Sequence, residues 1–178
     1  IHTGGIDHIS VHHPNERDQN IGAFGHPVVS YWIHNEWLVS KDDSKLSKSS
    51  GNASDLPSIL SSGKYDPMDI RYLFISINYR TRIQFSEEAL QGARNARLSL
   101  NTKVLELGKE IGNILPEYTQ RFREYLESNL NISGVLALIN EILKSNNDKK
   151  DMLATVLDFD KVLGLNLDKI AISEEVDP

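Results

Sequence analysis

Apolar positions change their period along this chain. Val28-Val29-Ser30-Tyr31-Trp32-Ile33 is β-branched and aromatic and predicts a buried strand, and Leu38-Val39 predicts a second, shorter one. From Ser40 to Asp55 there is almost nothing to bury, which predicts a long surface loop. Helical spacing takes over afterwards. Asp66-Pro67-Met68-Asp69 has the capping residue, the early proline and the first-turn acid of a helix start, and Ile70, Leu73, Phe74 and Ile77 form its apolar face. Ser86-Glu87-Glu88 opens a second helix, whose seam runs through Leu90, Ala93, Arg97, Leu100, Val104, Leu107, Ile111 and Ile114 until Pro116. Arg97 interrupts that seam and predicts one wet level in it. Three shorter helices are expected, over Glu117 to Leu126, Ser133 to Lys144 and Asp148 to Leu163, the last ended by Gly164. The pattern describes an α/β front end, a charged loop and an all-helical back end, with an acidic, frayed tail from Ala171.

Composition narrows the class. The 178 residues are 39% hydrophobic and 25% charged, and no apolar run is long enough to span a bilayer. The chain has no cysteine, which fits a reducing compartment, and a cytoplasmic location is expected. Its opening on Ile1-His2-Thr3-Gly4-Gly5, without an initiator Met, reads as a cut through a longer protein. The net charge of −6 argues against a chain that coats nucleic acid along its whole length. Charge is uneven, however: −3 over residues 1–40, +3 over 41–103 and −6 over the rest. Contact with a polyanion is therefore expected in the middle third.

Two patterns carry chemistry. Lys45-Leu46-Ser47-Lys48-Ser49, followed by Gly51-Asn52, sets two ammonium groups among small hydroxyls and unencumbered amides. Such a run suits a polyphosphate, and cations that close late on a departing pyrophosphate lower the transition state more than the ground state. By itself a Lys/Ser-rich run reads first as a solvated linker. Its order of residues, though, resembles the Lys-Met-Ser-Lys-Ser signature of class I aminoacyl-tRNA synthetases, with Leu46 in place of Met. In His12-His13-Pro14-Asn15-Glu16, the proline suits a first helical turn, and His12 and Glu16 then face the same way. An imidazole and a carboxylate so placed are half of a tetrahedral zinc site, or a hydrogen-bonded surface pair.

Further segments make the resemblance specific. Ile1-His2-Thr3-Gly4-Gly5-Ile6-Asp7 leading into His12-His13-Pro14-Asn15-Glu16 resembles the Asp-Ile-His-Gly-Gly-Gly-x-Asp and His-His-Glu-Asn-Glu segment of cysteinyl-tRNA synthetases. Tyr31-Trp32-Ile33-His34 is similar to that family's Tyr-Trp-x-His, and Tyr65-Asp66-Pro67, Arg71-Tyr72, Tyr79-Arg80 and Phe85-Ser86-Glu87-Glu88 resemble the stretch beyond the signature loop. The likeness runs in register from Ile1 to about Arg97, and Val162-Leu163-Gly164-Leu165 looks like a later family element.

The resemblance implies the second half of a Rossmann-like catalytic domain over residues 1–62, with its lysine loop at 41–54. A stem-contacting helical region would follow over 63–100, and a helical bundle on the tRNA or anticodon side over 101–178. It implies ATP-dependent joining of cysteine to its tRNA through cysteinyl-adenylate, with magnesium accompanying ATP. Lys45 and Lys48 are the expected catalytic cations, and Lys48, Ser47, Ser49 and His34 the ATP contacts. In the family two cysteines, a histidine and a glutamate hold a zinc ion that binds the substrate thiol. His12 and Glu16 occupy the last two positions, while His2, Asp7 and His13 match the substrate pocket. Arg71, Arg80, Arg82, Arg94 and Arg97 are the expected tRNA contacts, and a monomer is expected.

Departures are equally plain. The two cysteine ligands and the His-x-Gly-His signature of the first half do not occur in this chain, so it is expected not to catalyse ATP–pyrophosphate exchange alone. Asn15-Glu16-Arg17-Asp18-Gln19 puts charge where the family has Asn-Glu-Ile-Ala-Gln, and Ser128 to Ser133 lacks the family's acidic pair and Thr-Pro. Two other readings share part of the pattern: a mycothiol-type cysteine ligase acting on an amino sugar, and a non-catalytic synthetase-like RNA-binding fragment.

Overall fold

The computed structural model describes residues 1–39 and 56–172. The predicted lysine loop, with Lys45, Ser47, Lys48 and Ser49, and the tail from Ser173 lie outside the described residues. The chain is a mixed α/β structure that divides into two compact units. Among the described residues, 1–39 and Tyr79–Ser86 form the first, and 56–78 and 87–172 the second.

In the first unit, β1 (His2–Gly5) pairs in parallel with β2 (Trp32–Asn35), in the register His2–Trp32 through Gly5–Asn35. A parallel pair needs a crossover, and α1 (His12–Phe24) supplies it. This helix has no apolar stripe, and its one buried residue is His13. Gly25 ends it at φ +74°, where a side chain would be strained. β3 (Leu38–Val39) pairs in parallel with β4 (Ile83–Gln84). The strand expected from Val28 begins four residues later, and both Val28 and Tyr31 are exposed. The four residues of β1 limit the ladder, so β-branched side chains outside its register have no partner strand to pack beside.

The second unit is helical among its described residues: α2 (Leu56–Ser61), α3 (Pro67–Ser76), α4 (Glu87–Leu105), α5 (Pro116–Glu127), α6 (Ile132–Ile142), α7 (Lys149–Leu163) and α8 (Leu167–Ile172). α3 starts as expected, because Asp66 accepts from Met68 N while Asp69 Oδ2 accepts from Asp66 N at 2.9 Å. Ile70 and Leu73 are buried, but Phe74 is exposed. α4 is shorter than its seam predicts. It ends at Leu105, Gly108 turns the chain at φ +88°, and Ile111 and Ile114 are exposed. The intervening backbone bonds to the start of α7 instead: Gly112 N to Lys150 O at 2.9 Å, Asn113 N to Asp151 Oδ1 at 2.7 Å, and Leu115 N to Thr155 Oγ1 at 2.9 Å. These tertiary acceptors replace the helical ones that continued periodicity would have used.

The seam level at Arg97 is filled by a buried ion pair. Asp69 is fully buried, Arg97 is 8% exposed, and Arg97 Nε donates to Asp69 Oδ1 at 2.7 Å, while Arg94 Nη1 stands 3.4 Å from Oδ2. α7 closes against α3 through Arg71, whose Nε donates to Leu163 O at 2.8 Å, beside Gly164 in the left-handed region. Phe122 and Phe159 stack at 4.1 Å between centroids. Asp160 accepts from Leu165 N and Leu167 N at 2.7 and 2.8 Å, which leads the chain into α8, a helix the sequence did not announce. Among the described residues no helix is long and apolar enough to cross a membrane.

Removing Asp69 leaves the buried Arg97 guanidinium without its carboxylate partner, while Arg94 keeps Lys64 O. Asp69→Ala is expected to cost about 3–5 kcal/mol in denaturant unfolding of the whole chain, and a loss below about 1 kcal/mol would contradict the buried ion pair. On the surface, Arg121 donates to both oxygens of Glu141 at 2.6 and 2.7 Å, and this bonding holds Glu141 below its ordinary 4.5. A carboxylate so depressed contributes in full above the ordinary value and loses its contribution as pH falls through the native one. NMR titration should find Glu141 titrating low, and Arg121→Ala should return it to the ordinary range.

Candidate functional site

The crossover that builds the first unit also gathers its histidines. β1 carries His2, the following turn carries His8, the first turn of α1 carries His12 and His13, and β2 carries His34. His13 lies at the centre and is 4% exposed, with its ring 4.8 Å from those of His2 and His34 and 5.0 Å from His8. His13 Nδ1 and His34 Nε2 share a hydrogen bond of 2.7 Å. Burial pushes the His13 imidazole below its ordinary 6.5. The neighbouring rings of His2, His34 and His8 push the same way, and Glu16 opposes them. A neutral ring here keeps a lone pair that can serve as a ligand.

Close approach of these rings depends on a glycine. A Cβ on Gly4 would stand 2.6 Å from both His13 Cε1 and His8 Nδ1. β1 can therefore pass beneath the cluster only because residue 4 has no side chain.

Glu16 reaches into the cluster from α1. Its Oε2 lies 2.8 Å from His2 Nε2 and 4.0 Å from His13 Nε2, and its Oε1 lies 4.0 Å from His12 Nε2. Oε2 is sealed from water yet accepts no aligned hydrogen bond, and His8 Nδ1 is in the same condition. A shielded carboxylate oxygen facing two imidazole nitrogens is a donor set that suits a divalent cation. Among the described residues, His2, His13 and Glu16 offer one ligand atom each within 4.8 Å of one another. His12 is 60% exposed on its side chain and lies toward the outer oxygen.

Beside the cluster, Ile9, His13, Pro14, Arg17, Asp18, Trp32 and His34 line a cavity of roughly 390 Å³. A neighbouring one shares Ile9, Trp32 and His34 and adds Ile6, Glu36 and Arg80. Asp7, expected in the pocket, accepts from Trp37 Nε1 at 3.2 Å. Arg80 bonds the Tyr79 hydroxyl at 3.1 Å, and Arg82 pairs with Glu36 at 3.4 Å. Arg71, Arg94 and Arg97 lie in the second unit, bonded to Leu163 O, to Asp69 with Lys64 O, and to Asp69 respectively. Sequence reasoning missed His8 and the steric part of Gly4. The Gly-Gly step before a histidine-rich turn was the available signal.

Comparison with known proteins gives the family of the stretch that carries the cluster. Residues 1–95 match the family model of the class I (C) tRNA synthetase catalytic domain. Over 168 residues the chain is 36% identical to cysteine–tRNA ligase 1 of Burkholderia lata, covering 94% of this chain and 35% of the relative. It is 34% identical to the cysteine–tRNA ligase of Methanosarcina mazei, covering 83% and 33%, and 32% identical to that of Treponema denticola, covering 94% and 39%. The cluster thus sits in a class I tRNA synthetase catalytic-domain segment. Within that class the chain belongs to the cysteine–tRNA ligase family, and it spans about a third of the length of the curated relatives it matches.

Gly4→Ala should crowd His8 and His13 and cost about 1–3 kcal/mol in equilibrium unfolding. A cost under about 0.5 kcal/mol would mean that the rings yield freely and the cluster is not packed as described.

Proposed function

We propose that this chain is part of an enzyme that activates cysteine with ATP and transfers it to its tRNA. The observation that carries the reading is the meeting of His2, His13, His34 and Glu16 beside a Trp32-lined cavity, inside the stretch that matches the synthetase catalytic domain. In this reading residues 1–62 supply the second half of a Rossmann-like catalytic domain, residues 63–100 contact the tRNA stem, and residues 101–178 form a helical bundle on the tRNA side. The relatives' names favour tRNA over an amino sugar as the acceptor. A cytoplasmic monomer is the form proposed.

The chemistry follows from the residues. The cysteine carboxylate attacks the α-phosphorus of ATP; an acyl–phosphate bond forms, the α–β bridge breaks and pyrophosphate leaves. Lys45 and Lys48, with the hydroxyls of Ser47 and Ser49, neutralise charge as it builds on that leaving group, and magnesium would accompany the ATP phosphates. His34 is held by His13 and faces the cavity as a nucleotide or substrate contact. A hydroxyl of the terminal adenosine then attacks the carbonyl, and AMP leaves. Glu16 with histidine would hold zinc, and that ion would supply a preference for thiolate over hydroxyl that separates cysteine from serine. The resemblance assigns His12 to that ion, with Asp7, His2 and His13 around the substrate. Arg71, Arg80, Arg82, Arg94 and Arg97 remain the proposed tRNA-side cations, although each already has a partner in this structure.

A chimera tests the proposal. The chain replaces the matching third of the Burkholderia lata relative, and cysteine-dependent ATP–pyrophosphate exchange is measured. Exchange is expected from the chimera and not from the 178-residue chain alone. Lys48→Ala should slow adenylate formation by roughly 10²-fold with near-normal cysteine binding. A folded chimera without exchange, or an unchanged rate in the variant, refutes the assignment.

A further inference from the structure

The helical unit has a cavity of its own, of about 460 Å³, where the start of α3, one face of α4 and the start of α8 come together. Arg94 and Arg97 from α4 and Lys169 from α8 line it, with Tyr65 and Asn166. We propose that this cavity binds a small phosphate monoester that carries hydroxyl groups, such as a sugar phosphate or a mononucleotide. Such a site lies beyond the reading above, in which Arg94 and Arg97 face tRNA.

Donors without acceptors mark the place. Arg97 is 8% exposed, and among the described residues only its Nε has a partner, Asp69. A carboxylate on that edge of the guanidinium leaves the other edge, Nη1 with Nη2, for a second oxyanion. Arg94 uses Nη1 on Lys64 O and Asp69, and its Nε and Nη2 have no acceptor among the described residues. Tyr65 points to a ligand independently. It is 9% exposed, and its hydroxyl oxygen is sealed from water with no partner in hydrogen-bonding geometry. The neighbouring Lys64 ammonium stands 5.2 Å from the ring centre and is drawn first to Glu87 and only then to Tyr65. A phenol so placed gains from an acceptor that enters the cavity.

Charge and size select the ligand. Three cations, Arg94, Arg97 and Lys169, outnumber the two carboxylates beside them, Asp66 and Asp69, so the cavity favours an anion. Lys169 is exposed and has no side-chain acceptor among the described residues, which leaves it able to swing onto a phosphate. Asp66 lines the cavity too, and its Oδ1 accepts from Met68 N at 2.7 Å. A carboxylate there repels a bare phosphate but accepts from a hydroxyl, and the Asn166 amide can meet a second one. A volume near 460 Å³ is that of a small-molecule site and is more than one phosphate fills, and Met68, Leu165 and Ile170 supply an apolar wall for a ring. An RNA backbone phosphate is flanked by sugars on both sides. A guanidinium as deeply placed as Arg97 is better met by a terminal phosphate, which enters end-on.

Ribose 5-phosphate is the first probe, titrated into the purified 178-residue chain and followed by calorimetry and by NMR amide shifts. One molecule per chain is expected, with the shifts gathered at Tyr65, Arg97 and Lys169. Ribose, which lacks the dianion, should bind at least ~10-fold more weakly. Tyr65→Phe removes one hydroxyl and Lys169→Gln one exposed cation, and neither touches the Asp69 pair, so circular dichroism should be unchanged. Each should weaken ribose 5-phosphate at least about threefold. AMP separates the two sources of the phosphate. Tighter binding of AMP through Tyr65 and Lys169 supports a nucleotide, and equal or weaker binding through them supports a sugar phosphate. No binding of ribose 5-phosphate at millimolar concentration overturns the proposal. So does equal binding of ribose, or full affinity in both variants. A short RNA hairpin with hydroxyl ends stands for the backbone contact. If the hairpin binds through Tyr65 and Lys169 while ribose 5-phosphate does not, the cavity is a tRNA contact and the proposal fails. None of these outcomes bears on the chimera's exchange activity, which tests the cysteine-activating reading by itself.

Discussion

The parallel pairing of β1 with β2 is the constraint from which the site follows. Only four residues of each strand pair, yet the register sets His2 against Trp32 and Gly4 against His34, and it forces α1 to cross over the pair. The first turn of that helix then delivers His13 above the glycine, with Glu16 following in the next turn. No apolar stripe on α1 assists this placement. What fixes the helix is its buried histidine, hydrogen-bonded to β2 through His34. A site assembled this way joins structure and chemistry in the same side chain, because His13 is both the helix's packing residue and its most deeply placed imidazole.

The second unit is organised by a different device. Asp69 completes the cap of α3 and accepts from Arg97 on α4, both away from water. A charge so buried is tolerable only when each oxygen has a donor, and the oxygens of Asp69 receive them from Asp66 N, Arg94 and Arg97. The same arrangement engages the Arg97 guanidinium inside the unit. Arg71 is likewise occupied by the last carbonyl of α7. At these two positions the guanidinium groups already donate within the unit.

Much of the helical half was legible because helix ends leave local marks. Asp66-Pro67 with Asp69, Pro116, Asp148 and Gly164 each satisfy or replace backbone groups within a few residues of themselves, so their meaning travels with the sequence. The errors lie where a distant acceptor won. Ile111 and Ile114 continue the seam of α4 in spacing, yet their segment bonds to Asp151, Lys150 and Thr155, which lie more than thirty-five residues away. The partner that fills the Arg97 level was not legible either, because that carboxylate sits on another helix, twenty-eight positions earlier.

For the site the division is similar. Residue types and order were enough to identify the family, to single out His2, His12, His13, Glu16 and His34, and to separate an α/β front end from a helical back end. These depend on local chemistry and on motifs that are contiguous. Which histidine turns toward which oxygen of Glu16 was beyond the letters. His12 and His13 are adjacent in the chain, and helical spacing alone favours the pair His12 and Glu16, one turn apart. The choice was made by β1, which brings His2 to the inner oxygen, and by the missing side chain of Gly4, which lets His13 sink beneath the surface. Both are contacts between segments that only the folded chain brings together.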